Sequence, residues 1–185
     1  MSTEGHMTYG TQRQAAARNR ATILETAHEL LAASPRASMN EIAKRAGVGA
    51  GTLYRHFPTR ESLLLAVYRH DVDRIIAAVD DALSAGPAID AFVAWFEQLA
   101  GYLRLKHGLG EAFYSATSPE LISESSASIT AAVGRLLDAC AAEGSMRAGL
   151  DPYDILLLMG FLWRVGTEEE GRRLTALVLD GLRPR

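Results

Sequence analysis

An all-α fold is what the sequence predicts, on three observations. Apolar residues recur at alternating three- and four-residue steps along most of the chain, the period of helices buried on one face. No stretch sustains the strict apolar–polar alternation of a half-buried strand. Prolines, glycines and capping residues fall between the periodic stretches and divide them into about nine helices. Hydrophobic residues make up 48% of the 185 residues, enough for a sizeable core.

Taken in order, residues 1–14 are expected as a disordered tail outside the fold. The first helix is expected from about Ala15 to Ala33, with Ile23, Ala27, Leu30 and Leu31 on one face, and the Ser34-Pro35 step ends it. Ser38-Met39-Asn40-Glu41 has the pattern of a capping box and opens a second helix that stops at Gly47. A short third helix covers Ala50 to His56 and is broken by Pro58. Thr59 caps a long fourth helix through Leu63, Val67, Val72, Ile75 and Val79 that ends before Gly86.

Pro87 suits the first turn of a fifth helix, whose stripe is Ile89, Phe92, Val93, Phe96, Leu99 and Leu103. Gly108 and Gly110 interrupt it, and a short helix follows around Glu111 to Tyr114. Ser118-Pro119-Glu120 opens the next, with Ile122, Ile129, Val133, Leu136, Leu137 and Cys140 aligned. After a connector from Gly144 to Gly149, Asp151-Pro152 caps a helix that is apolar nearly all round from Ile155 to Trp163. The last helix, about Glu168 to Leu182, starts acidic and offers Leu174, Leu177, Val178 and Leu182.

The net charge of −3 conceals a division. Thr11 to Arg60 carries eight Lys/Arg against three acids, a net of +5, whereas Glu61 to Arg185 carries −7. A basic front on an acidic body is the footprint of a chain that meets a polyanion with one end. No apolar run approaches the roughly 20 residues of a membrane span, and no signal-peptide pattern opens the chain, so no membrane partner is expected. The single cysteine, Cys140, cannot form an internal disulfide, which fits a reducing cytoplasm.

The second and third helices carry the functional signal. Ile42, Ala43 and Ala46 give the second helix a small apolar face that another helix can cross closely. Gly47 permits the tight turn of a helix-turn-helix. Leu53 and Phe57 point inward, leaving Ala50, Thr52, Tyr54, Arg55 and His56 outside. Gly49, Ala50 and Gly51 would let the start of the third helix approach base edges in a major groove. Tyr54, His56 and Arg60 are donors suited to phosphate oxygens. An ordinary solvated helical hairpin is the alternative.

The string Ile42-Ala43-Lys44-Arg45-Ala46-Gly47-Val48, followed by Gly51-Thr52-Leu53-Tyr54-Arg55-His56-Phe57, resembles the N-terminal signature of the TetR (tetracycline repressor) family over roughly Arg18 to Tyr68. The resemblance implies a homodimer that reads a palindromic double-stranded DNA operator with residues 15–59. It implies that residues 60–185 dimerise and bind a small, largely apolar effector that changes DNA affinity. The DNA-facing set it implies is Ser38, Lys44, Ala50, Gly51, Thr52, Tyr54, Arg55, His56 and Arg60. Gly49 and Ala50 depart from the polar residues frequent there in the family, which shifts base reading towards Thr52, Arg55, methyl contacts or DNA shape.

An effector cavity is expected among Phe92, Trp95, Phe96, Leu99, Tyr102, Phe113, Tyr114 and Trp163, with plain core packing as the alternative for each. A helix apolar all round needs burial on two sides. Leu156, Met159, Gly160 and Trp163, with Leu174, Leu177 and Val178 of the last helix, are therefore expected at a four-helix dimer interface. A central helix buried within a monomer is the alternative. The scattered histidines have no metal-ligand spacing, no nucleophile has a base beside it, and no phosphate loop is present, so neither catalysis nor a metal or cofactor is expected. A helical carrier or enzyme with a vestigial DNA-binding front, or a DNA binder without effector, are the rival functions.

Overall fold

The computed structural model describes residues 4–184, with side chains from Arg13 onward except those of Glu111 and Tyr114. All regular structure among the described residues is helical. The order is α1 (Glu4–Ala33), α2 (Met39–Arg45), α3 (Ala50–His56), α4 (Arg60–Ala85), α5 (Ala88–Leu109), α6 (Glu111–Ala116), α7 (Pro119–Ala142), α8 (Pro152–Leu158), a 3-10 turn (Met159–Trp163) and α9 (Glu168–Leu182). The helix α1 starts at Glu4, well before Ala15, and so runs through residues expected as a tail. No proline interrupts it, and Gly5 and Gly10 weaken a helix by only about 1 kcal/mol each.

One compact unit comprises Met1–His70 with Gly108–Ala116. Its core gathers Ile23, Leu24, Ala27 and Leu31 of α1, Ile42 and Ala43 of α2, Leu53 of α3, and Phe57. Leu63, Leu64, Val67 and Tyr68 of α4 are buried too, and Tyr68 meets Phe113 of α6 edge-on at 5.1 Å. The opening turns of α4 and all of α6 fall in the same unit as the helix-turn-helix. Thr59 and Ser62 cap α4 reciprocally, each side chain accepting the other's backbone N–H at 3.1 Å.

The second unit comprises Asp71–His107 and Thr117–Arg185. Its centre is α5, where Phe92, Trp95 and Phe96 are fully buried and their rings pack at 4.7 and 5.2 Å. The buried Trp95 indole N–H donates to the carbonyl of Ile75 at 2.7 Å, so burial leaves no orphaned donor. Ile129, Val133, Leu136, Leu137 and Cys140 form the buried stripe of α7. Glu143, the C-cap of α7, accepts the Ala88 N–H at 2.8 Å and so caps the first turn of α5. Arg147 closes the end of α9: its backbone N–H donates to the Leu182 carbonyl at 2.9 Å, and its guanidinium to the Gly181 carbonyl at 3.0 Å.

The apolar stretch from Ile155 to Trp163 is not one helix. α8 ends at Leu158 and the chain tightens into the 3-10 turn. Gly160 lowers helix propensity there, and Arg104 of α5 takes the Leu162 carbonyl at 3.0 Å. The Arg164 N–H bonds the Phe161 carbonyl at 2.8 Å, and Thr167 then caps α9 through the Glu170 N–H at 3.2 Å.

Candidate nucleic-acid interface

The geometry of α2, the turn and α3 follows from a few local choices. Ser38 accepts the Glu41 N–H at 3.3 Å, while the Glu41 carboxylate accepts the Ser38 N–H at 2.7 Å and its hydroxyl at 2.8 Å. These bonds hold the Glu41 carboxyl below its ordinary range, the Ser38 backbone donor contributing most. At the other end Gly47 adopts φ +68°, and the Gly47 and Val48 N–H groups turn back to the carbonyls of Lys44 (3.3 Å) and Ala43 (3.0 Å). That double return is a Schellman closure, which satisfies the last carbonyls of α2 and aims the chain into α3.

Leu53 and Phe57 are buried as expected; Ala50, Gly51, Tyr54 and Arg55 are exposed, whereas Thr52 and His56, expected outside, are half-buried. A Cβ placed on Gly49 or Gly51 would meet nothing within 4 Å, so neither glycine is required by packing inside the protein. Their bareness leaves the backbone of the first turn accessible from outside. Arg55 lies back along α3, donating to the Gly51 carbonyl at 3.2 Å and to the Thr52 hydroxyl at 3.1 Å. Ser38, the N-cap of α2, and Lys44 within α2 are both exposed. Arg20 of α1 sits over the Phe57 ring at 5.3 Å and covers the edge of the core beneath α3.

Arg60, expected as a phosphate donor, makes bonds within the fold. It is half-buried, and its guanidinium donates to the carbonyls of Ala37 and, at 2.7 Å, of Pro35. Between those carbonyls Arg36 is exposed, a cation of the basic front outside the expected DNA-facing set.

In the second unit Phe92, Trp95, Phe96, Leu99 and Tyr102 are all buried, and the rings of Phe92, Trp95 and Phe96 pack against one another. Phe113 lies in the first unit against Tyr68. The Tyr114 side chain lies outside the described residues. Trp163 stacks on His107 at 4.1 Å and 9°, with the Arg164 guanidinium 4.5 Å from its ring. A cavity of about 610 Å³ in this unit is lined by Glu97, Arg104, Leu162, Val165, Thr167 and Arg172 among others. None of its lining residues belongs to the expected aromatic set, and polar residues with no motif of their own gave no sequence signal. Lys106, half-buried on α5, is held below its ordinary range by desolvation.

Of the residues expected at a dimer interface, Met159 is buried within the chain. Leu156, Gly160, Trp163, Leu174 and Val178 are half-buried, and Leu177 is 63% exposed. Tyr153, Leu157 and Leu158 of α8, which were not singled out, are more than half exposed. No helix among the described residues is long and apolar enough to cross a membrane.

An all-helical chain whose front is a helix-turn-helix with an open first turn has the architecture of a bacterial transcriptional regulator. Comparison narrows that class. Residues 23–67 match the family described as bacterial regulatory proteins, tetR family, and residues 87–184 match the C-terminal domain of SbtR-like transcriptional regulators. Two solved structures are 34% identical with a TM-score of 0.79. They are the TetR transcriptional regulator SCO0520 of Streptomyces coelicolor (89% of this chain, 98% of that one) and a TetR transcription regulatory protein of Mycobacterium vanbaalenii (94% and 99%). The chain belongs to the TetR family of transcriptional regulators. Among curated relatives, the HTH-type transcriptional repressor LfrR of Mycolicibacterium smegmatis is 40% identical over 74 residues, 40% of this chain and only 39% of LfrR. The structure of LfrR in complex with proflavine shares the fold at 23% identity and a TM-score of 0.65, covering 91% of this chain and 99% of that one.

Proposed function

We propose that this protein is a ligand-responsive repressor, acting in the cytoplasm, that binds a palindromic operator as a homodimer through α3. The observation that carries this reading is the first turn of α3. It is exposed and free of side-chain bulk at Gly49 and Gly51, flanked by Tyr54, His56 and Thr52, and fixed from below by the capping box and the Gly47 turn. A helix start so bared fits a major groove, with phosphates gripped by the surrounding donors.

The exposed Leu157, Leu158 and Leu177 support dimerisation by α8 and α9, since large aliphatics left to water favour burial by a twofold mate. In such a dimer two α3 helices about 34 Å apart would enter successive major grooves. The effector reading is supported by the cavity beside α5 and α9 and by the proflavine bound to the LfrR relative. An effector weakens DNA binding only by as much as it prefers the state that does not bind DNA.

Fluorescence anisotropy on duplexes drawn from the flanks of its own coding region tests the DNA reading. Binding should weaken more than tenfold in a Tyr54→Phe/His56→Ala protein, the loss expected from two phosphate contacts. Equal binding by both proteins would refute it. Thermal shift against a metabolite library tests the effector, because a ligand raises stability by mass action.

A further inference from the structure

From the placement of two arginines we infer a division of labour at the entrance to α2: Arg36 meets the DNA backbone, and Arg60 is the positioning residue that holds its turn. The inference rests on the DNA-binding reading above. Arg60 opens α4, yet its bonds reach 23 and 25 residues back, to the carbonyls of Ala37 and Pro35. Its planar fork spans two acceptors on either side of one residue, a geometry that lysine's single ammonium cannot reproduce. Ala37 is buried and its N–H returns to the Ser34 carbonyl at 2.9 Å, so the turn is closed from both sides. The residue so framed is Arg36, exposed and two positions before the Ser38 cap. The guanidinium of Arg60 is thereby spent on backbone carbonyls, while that of Arg36 faces solvent at the N-terminal end of α2. In a helix-turn-helix the first of the two helices crosses the DNA backbone.

The two roles separate by salt dependence. A lost phosphate contact lowers the slope of log K against log salt by about 0.9, whereas a lost positioning contact weakens binding at every salt concentration in parallel. The probe is a duplex enriched from a random library by the full-length protein. Arg36→Gln should lower the slope by about 0.9. Arg60→Gln and Arg60→Lys should each weaken binding about tenfold with the wild-type slope, since lysine keeps the charge but loses the fork. Hydrogen exchange on the free protein gives a readout without DNA: amides of residues 37–41 should exchange faster in both Arg60 variants and at the wild-type rate in Arg36→Gln.

A reduced slope in Arg60→Gln that Arg60→Lys restores would overturn the inference, as would an unchanged slope in Arg36→Gln. Unchanged exchange at residues 37–41 would overturn the positioning role even if every variant bound DNA. A wild-type protein that enriches no duplex would overturn the DNA-binding reading itself, a failure distinct from these.

Discussion

Replacing Gly51 by alanine should stabilise the protein and weaken its hold on DNA at once. Gly51 lies in the first turn of α3 with an ordinary helical φ, and a Cβ there would meet nothing within 4 Å. The folded state therefore accepts the methyl without strain, while the unfolded chain loses the extra freedom of glycine. The gain is about 0.4–1 kcal/mol, a rise of roughly 1–4 °C in Tm for a chain of this size. Towards DNA the sign reverses. If α3 enters the groove by its first turn, a methyl at residue 51 lies between backbone and bases. A misfit at one base pair costs about 1–3 kcal/mol, or roughly 5- to 150-fold in affinity. Calorimetric melting and anisotropy on one preparation measure both quantities. A variant that melts higher but binds the enriched duplex as tightly as wild type would refute the placement of α3. A variant that melts lower would refute the geometry assigned to Gly51.

Three further outcomes are expected. Trp95→Phe should lower stability by about 2–4 kcal/mol in urea denaturation, through the lost bond to Ile75 and the space left by the smaller ring; a loss below about 1 kcal/mol would mean Trp95 lines adaptable space and is not core. The Glu41 carboxyl is held below its ordinary value of 4.5, so the capping it gives is present above that value and is lost as pH falls through the lower folded one. Glu41→Gln keeps a capping side chain without the charge, so its stability difference from wild type should be constant above about pH 6 and change as pH falls below about 4.5; a pH-independent difference contradicts the assignment. Leu157→Lys with Leu177→Lys should convert a dimer to monomers in analytical ultracentrifugation while far-ultraviolet dichroism stays unchanged, because both side chains are over 60% exposed in the single chain. A dimer that persists would place the interface elsewhere.

What the sequence made legible was local. The capping box, the glycine turn and the inward pair Leu53 and Phe57 are short-range signals, and each forms as read. Features set by distant partners were not legible. The fork of Arg60 depends on carbonyls more than 20 residues away, and an arginine beside a helix start reads equally well as a phosphate donor. Periodicity marked the aromatics of α5 as apolar but could not say which neighbours they meet; Trp95 bonds the Ile75 carbonyl, and the Phe92, Trp95 and Phe96 rings pack tilted and edge-on against one another. Beyond the break after Leu158, Arg104 reaches across from α5 to the Leu162 carbonyl, a partner no local pattern announces. The early start of α1 had no signal because nothing in residues 4–14 either caps or breaks a helix.

The central claim is that α3 reads DNA in a twofold dimer, and selection of duplexes from a random library by the full-length protein tests it most directly. The account predicts enrichment of an inverted repeat whose half-sites are centred about 10 base pairs, or a multiple of one DNA turn, apart. Enriched duplexes without twofold symmetry, or no enriched duplex at all, would contradict it.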